Sequence, residues 1–171
     1  MSKVDDLFAE YRNPLYRYFV RAVGQPDAAQ DLTQDVFARV SRAAVPIGSE
    51  VSIRAWLFRI ARNLVLDHHR YQKRRPLAVD SALEQSRPAP QDIEFVVNEA
   101  LAALPALDRD VFLMREVSGL GYDDIGKVCE LTPDAVRSRL HRARLQLREH
   151  LSSPISMRRT EPMRRKNKGL E

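Results

Sequence analysis

The chain has 171 residues, 44% of them hydrophobic, and a formal net charge of +5. That is enough apolar material for one domain or two small ones and too much for a disordered chain. The basic excess favours nucleic acid or an anionic membrane surface as partner, without choosing between them. The single cysteine, Cys129, excludes an intrachain disulfide framework and fits a reducing cytoplasm. The first residues, "MSKVDDLFAEYRNPLYRYF", carry acids and tyrosines where a signal peptide needs a basic start and a long apolar run. No apolar window approaches the length of a membrane span. The expectation is a cytoplasmic protein with no membrane span.

Residues 1–75 read as one helical piece. Leu7, Leu15, Phe19 and Val23 recur at helical spacing, with Tyr11 and Tyr18 near the same stripe. Pro26 and Asp27 break that run, and Asp27 is a candidate cap for the next helix. There Leu32, Phe37 and Val40 supply an apolar face, with Val36 beside it. "AAVPIGSEVS" is a loop by its proline, glycine and serines. Ser52 is placed to cap a third helix, in which Trp56, Ile60 and Leu64 face inward. From 76 to 91 the text changes to "PLAVDSALEQSRPAPQ", which lacks a sustained period and reads as a linker. Sixteen extended residues reach at most roughly 55 Å.

Helical periodicity returns over 92–151. Ile93, Val97, Leu101 and Leu104 form a stripe that Pro105 ends. Val111, Leu113, Met114 and Val117 belong to the next helix, closed by "SGLGY". A short helix, "YDDIGKVC", is followed by a turn and then by "LTPDAVRSRLHRARLQLREHL". Residues 152–171, "SSPISMRRTEPMRRKNKGLE" with Ser152 first, are polar, basic and proline-punctuated, and are expected to be disordered. The fold class expected is all-α: two small helical domains joined by a flexible linker, the second with a helix-turn-helix.

The last helix poses the functional question. Thr132 suits the N-cap and Pro133 the first helical position. Val136, Leu140, Ala143, Leu147 and Leu151 are spaced for one buried stripe, while Arg137, His141, Arg144 and Arg148 share another face flanked by Arg139 and Arg142. Solvated helix faces usually alternate in sign, because like charges at i,i+4 repel. Between Asp134 and Glu149 no acid interrupts five arginines. A short helix, a tight turn and a longer basic helix have helix-turn-helix geometry, in which the second helix enters the DNA major groove. Arginine's planar fork suits bidentate bonding to guanine or to phosphate.

Two further motifs extend the reading. "DLTQDVFARV" followed by "IRAWLFRIARNLVLDHHRYQKR" closely resembles regions 2.2 to 2.4 of bacterial RNA polymerase sigma factors. "ALPALDRDVFLMREVSGLGYDDIGKVCELTPDAVRSRLHRARLQLREHL" resembles their region 4, and the short linker between the two matches the extracytoplasmic-function (ECF) group. The resemblance spans about residues 5–151. It implies a transcription initiation subunit, not an enzyme, that binds core RNA polymerase and directs it to promoter DNA, with 1–75 as region 2, 76–91 as linker, 92–151 as region 4 and 152–171 as a basic tail. Asp31, Gln34 and Asp35, one polar face of "DLTQDVF", are implied to dock on the polymerase. Arg59, Arg62, Asn63, Arg70, Lys73 and Arg74 are implied to hold the −10 element, aided by the loop at 44–52. Arg137, Ser138, Arg139 and Arg142 are implied to face the −35 element. An anti-sigma factor is the implied regulatory partner, and no cofactor or metal is implied.

The sequence departs from the family at two places. Glu130 stands in the turn where glycine is common, so a left-handed conformation at a cost of about 1 kcal/mol is expected. Gly126 stands where alanine is usual, weakening its helix by about 1 kcal/mol or admitting a close approach. Trp56 and Cys129 read as core residues on apolar faces, and Asp67 as the partner of a neighbouring arginine. His68, His69, His141 and His150 offer no metal-ligand spacing. The rival reading is an autonomous helix-turn-helix regulator, which leaves the first half unexplained. A membrane-surface role for "RRTEPMRRKNK" lacks an amphipathic apolar face.

Overall fold

The structure is a computed structural model, and residues 3–43, 52–74 and 93–152 are described. The linker expected at 76–91, the loop at 44–51 and the tail expected at 152–171, apart from Ser152, lie outside the described residues; Ser152 itself is helical. Every regular element among the described residues is helical: α1 (Lys3–Val23), α2 (Pro26–Arg42), α3 (Ile53–Arg74), α4 (Ile93–Ala102), α5 (Ala106–Phe112), α6 (Tyr122–Cys129) and α7 (Pro133–Ser152). α5 runs directly into a π-helical turn, Leu113–Val117.

Three local signals set the first half. Gly24 closes α1 at φ +72°, and its N–H bonds the Val20 carbonyl at 2.9 Å, a conformation glycine adopts without strain. α2 begins one residue before the expected cap. Extended Gln25 takes the cap position with no side-chain bond, and Pro26 fills the first helical position. Asp27 therefore lies in the first turn, where its charge complements the helix dipole. Ser52 caps α3 as expected, its hydroxyl oxygen accepting the Ala55 N–H at 3.1 Å.

The three helices bury Leu15, Tyr18 and Phe19 against Val36, Val40, Leu57 and Phe58. The Tyr18 and Phe58 rings meet edge-on at 5.6 Å. Trp56 is half-buried and packs on this core. In the second half, Leu113, Met114, Leu120, Ile125 and Leu140 are buried together with Cys129. Four members of the α7 stripe, Val136, Leu140, Ala143 and Leu147, are buried; Leu151, expected among them, is half exposed in the last turn, next to residues outside the described set.

The halves, read from the sequence as separate pieces, share a seam. α3 packs on α6, and α1 packs on the π turn. Arg62 Nε donates to Asp110 Oδ2 at 2.9 Å, Arg59 Nη2 donates to the Lys127 carbonyl at 2.6 Å, and Ser118 Oγ donates to the Pro14 carbonyl at 3.3 Å. Arg21 Nη1 donates to Asn98 Oδ1 at 3.0 Å. Burial pushes the Asp110 carboxyl above its ordinary range, and Arg62 pulls it only part of the way back. An acid raised by folding stabilises the packed state fully below its ordinary pKa, and that contribution is lost as pH rises through the raised value. At neutral pH the pair therefore specifies which surfaces meet more than it adds stability.

Cys129 borders this seam, within range of the Arg62 and Asp110 charges, and burial pushes its thiol up to about 11. Its reaction with a thiol reagent reports on opening. Arg62→Met leaves Asp110 buried and unpaired, at a cost of about 3–5 kcal/mol unless the halves part, so Cys129 labelling should accelerate about tenfold or more. Asp110→Asn removes the buried charge and should stay within about threefold of wild type. Equal rates in all three proteins would show that the pair does not hold the seam.

Candidate nucleic-acid interface

The turn between α6 and α7 depends on both sequence departures. Glu130 adopts φ 58°, ψ 45°, the left-handed region expected for it. This bends the chain so that the Leu131 N–H bonds the Gly126 carbonyl at 2.9 Å. The Leu131 carbonyl oxygen then lies only 2.6 Å from where a Cβ on residue 126 would stand. Gly126 is therefore required by a backbone contact, which outweighs its poor helix propensity. Thr132 Oγ1 accepts the Ala135 N–H at 3.2 Å and starts α7 as its sequence indicates.

Four of the five arginines of α7 meet counter-charges, and three of those four draw them from elsewhere in the fold. Asp108, on α5 and almost wholly buried, accepts from Arg139 Nη1 at 2.7 Å, and its Oδ2 lies 3.6 Å from Arg142 Nε. Arg144 pairs with Glu116. Arg137 pairs with Asp134 at 2.7 Å, but that carboxylate is 90% exposed, so water and salt screen the pair. Arg137 also lies over the Tyr122 ring at 5.4 Å, and Arg115 lies over the same ring at 5.0 Å. Arg137, Ser138, His141 and Arg142 stand exposed on the first turns of α7, whereas the Arg139 side chain is only 29% exposed. The sequence reading did not single out Asp108, Asp110, Glu116 or Tyr122, and placed His141 only on the basic face. Acids two or more elements away leave no periodic trace in the text.

The residues tied by resemblance to the −10 element divide in two. Asn63, Arg70, Lys73 and Arg74 are exposed along α3, with Arg70 bonded to Asp67 at 3.3 Å. Arg59 and Arg62 turn toward the second half, to the Lys127 carbonyl and to Asp110. His69 lines a groove with Arg109 and Asp110, and burial lowers its pKa below the usual range, with Arg109 acting in the same direction. On α2, Asp31, Gln34 and Asp35 form one exposed face opposite buried Leu32, Val36 and Phe37. A groove of about 380 Å³ lies beside it, lined by Phe8, Arg12, Tyr16, Gln30 and Gln34. Phe8 is 41% exposed there, and its ring meets Phe37 edge-on at 4.8 Å.

These features define a helix-turn-helix DNA-binding protein that carries a second helical domain. The chain matches the families described as Sigma-70 region 2, over residues 7–75, and Sigma-70, region 4, over residues 95–147. It is 33% identical over 166 residues to the ECF RNA polymerase sigma factor SigE of Mycolicibacterium smegmatis, an alignment covering 91% of this chain and 64% of that protein. It is 30% identical to the RNA polymerase sigma-H factor of Pseudomonas aeruginosa, over 82% of this chain and 81% of that one. Among solved structures, the sigma factor RpoE of Bartonella quintana, in complex with the anti-sigma factor NepR, superposes with a TM-score of 0.70 at 24% identity, over 88% of this chain and 98% of that chain. CnrH, in complex with the cytosolic domain of CnrY, superposes with a TM-score of 0.66 at 23% identity, over 86% of each chain. The chain belongs to the sigma-70 family of RNA polymerase sigma factors, within the ECF group. No described helix is long and apolar enough to cross a membrane.

The turn yields a test of what supports α7. Gly126→Ala should lower stability by about 1–2 kcal/mol, the overpacking cost exceeding the gain in helix propensity. Glu130→Gly should raise it by about 1 kcal/mol by relieving the left-handed strain. Denaturant unfolding of the full chain measures both, and an alanine at 126 without loss would remove the close approach as a constraint.

Proposed function

We propose that the protein directs core RNA polymerase to its promoters, with α7 reading the −35 element and α3 holding the −10 element. The reading is carried by the outward face of α7, where Arg137, Ser138, His141 and Arg142 stand exposed on a helix whose opposite side is locked into a core. Arginine forks and a hydroxyl in the first turns of such a helix suit base edges and phosphates of the major groove. Arg139 supports that surface from behind, because its guanidinium is committed to Asp108. On α3, Asn63, Arg70, Lys73 and Arg74 supply an amide and cations that can follow an unpaired strand. The exposed acids and amide of α2 (Asp31, Gln34, Asp35), with the aromatic groove beside them, form the polymerase-docking face.

The domain roles follow the same division: residues 1–75 as polymerase-binding and −10 domain, 76–91 as tether, 92–151 as −35 domain and 152–171 as a basic tail. In the packed arrangement Arg59 and Arg62 are engaged by the second half, so their use on DNA requires the halves to part. A tether then keeps two weak modules at high effective concentration over one promoter. An anti-sigma factor is the natural antagonist: the sigma factor RpoE of Bartonella quintana, of the same fold, is complexed with the anti-sigma factor NepR. In this reading the chain supplies binding energy in the cytoplasm and the polymerase supplies the chemistry. An autonomous regulator would leave the region 2 half, with its exposed acid and amide face, without a task.

Run-off transcription with purified core polymerase, with affinity capture of that polymerase alongside, tests the division of labour. Arg137→Ala combined with Arg142→Ala should reduce promoter-specific transcripts about tenfold or more with polymerase capture unchanged. Asp35→Arg should do the reverse, weakening capture about tenfold while leaving the helix-turn-helix folded. Tight, promoter-specific binding by the free chain that core polymerase does not improve would point to the autonomous regulator.

A further inference from the structure

We infer that Asp108 is a positioning residue that fixes the Arg142 guanidinium for a guanine in the −35 element; the inference rests on reading α7 as the −35 helix. Asp108 lies on α5, outside the helix-turn-helix, with a side chain only 4% exposed. Two arginines one turn apart on α7 converge on it. Arg139 fills Oδ1 at 2.7 Å from a mostly covered position, which neutralises the buried carboxylate. Arg142 approaches Oδ2 through Nε at 3.6 Å, and its side chain stays 55% exposed.

The choice of atom matters. At 3.6 Å the approach of Arg142 to Asp108 is an ion-pair contact, longer than a hydrogen bond. A guanidinium whose Nε side faces a fixed carboxylate keeps a free Nη edge, and that edge can bond guanine O6 and N7, or two phosphate oxygens, at once. A long flexible side chain loses rotamer freedom when it binds, and a carboxylate that limits that freedom beforehand lowers the loss. Arg137 lacks this support, because its partner Asp134 is itself 90% exposed. Arg144 is tied to Glu116, also partly exposed. Among the α7 arginines, Arg142 combines an exposed head with an almost wholly buried anchor. Fixed direction favours a guanine edge over a phosphate, since a phosphate tolerates many approaches.

Two measurements on the full chain test this. In the free protein, the Arg142 Nε–H signal should exchange slowly with water, and Asp108→Asn should speed that exchange about tenfold or more. Slow exchange in both proteins would overturn the anchor irrespective of any DNA reading. With core polymerase and a promoter library randomised across the −35 element, Arg142→Ala should relax preference at one guanine from about tenfold to within about twofold. Asp108→Asn should relax that same position, leave the others unchanged, and add nothing when combined with Arg142→Ala. Arg142→Lys, which keeps charge but loses the fork, should also relax it, and this variant serves if Asp108→Asn lowers the unfolding temperature markedly. A uniform loss across all positions from Asp108→Asn would reduce Asp108 to a structural role. Relaxation by Arg142→Ala alone would overturn the inference while leaving α7 as the reading helix. A loss from Arg142→Ala that is equal at every position, with a shallower salt dependence, would assign Arg142 to a phosphate and overturn the guanine. No effect of Arg142→Ala at any position would overturn the inference, and no effect of Arg137→Ala combined with Arg142→Ala would overturn the reading itself.

Discussion

Two buried aspartates on one short helix organise the protein. Asp108 and Asp110 stand two residues apart on α5 and face different neighbours: Asp108 meets Arg139 and Arg142 of α7, and Asp110 meets Arg62 of α3. Both carboxylates have side chains under a tenth exposed, so each needs its arginine close at hand. α5 thereby ties α7 to α3. An apolar contact at either place could bury as much area. It would not define which rotamer and which helix face must be present, and a buried carboxylate does.

The same logic explains why the protein closes and why it can open. Desolvation of Asp110 takes back much of what its attraction to Arg62 provides, so the seam is specified by charge without being locked by it. The other polar contacts across the seam use the backbone carbonyls of Lys127, Pro14 and Gly119 and the side chains of Asn98 and Glu94, groups that water can satisfy once the halves separate. The separation that the proposed function requires would return Arg59 and Arg62 to solvent, in place of Asp110 and the Lys127 carbonyl. Under the proposed function, closing and promoter binding compete for the same guanidinium groups.

Much of this architecture was legible as text. The 3.6-residue period placed the helices, and the proline and serine signals at 26, 52, 105 and 133 placed most boundaries to within a residue or two. Thr132 and Pro133 announced α7, and Glu130 announced the left-handed turn, because caps and positive φ depend on residues adjacent in the chain. Asp27 was misjudged as a cap because Pro26 can itself occupy the first helical position. Leu151 was misjudged as core because a periodic stripe does not say where its covering surface ends.

By itself the sequence determined the all-helical class, the two sigma regions in order, the helix-turn-helix and the chemistry available on α2, α3 and α7. Those properties are written in local spacing and in motifs of contiguous residues. Only the tertiary structure decided which arginines are free. Arg139 and Arg142 share Asp108 across 31 and 34 residues, and Arg62 finds Asp110 across 48. A guanidinium's partner is set by distance in space, and sequence separation carries no trace of that distance.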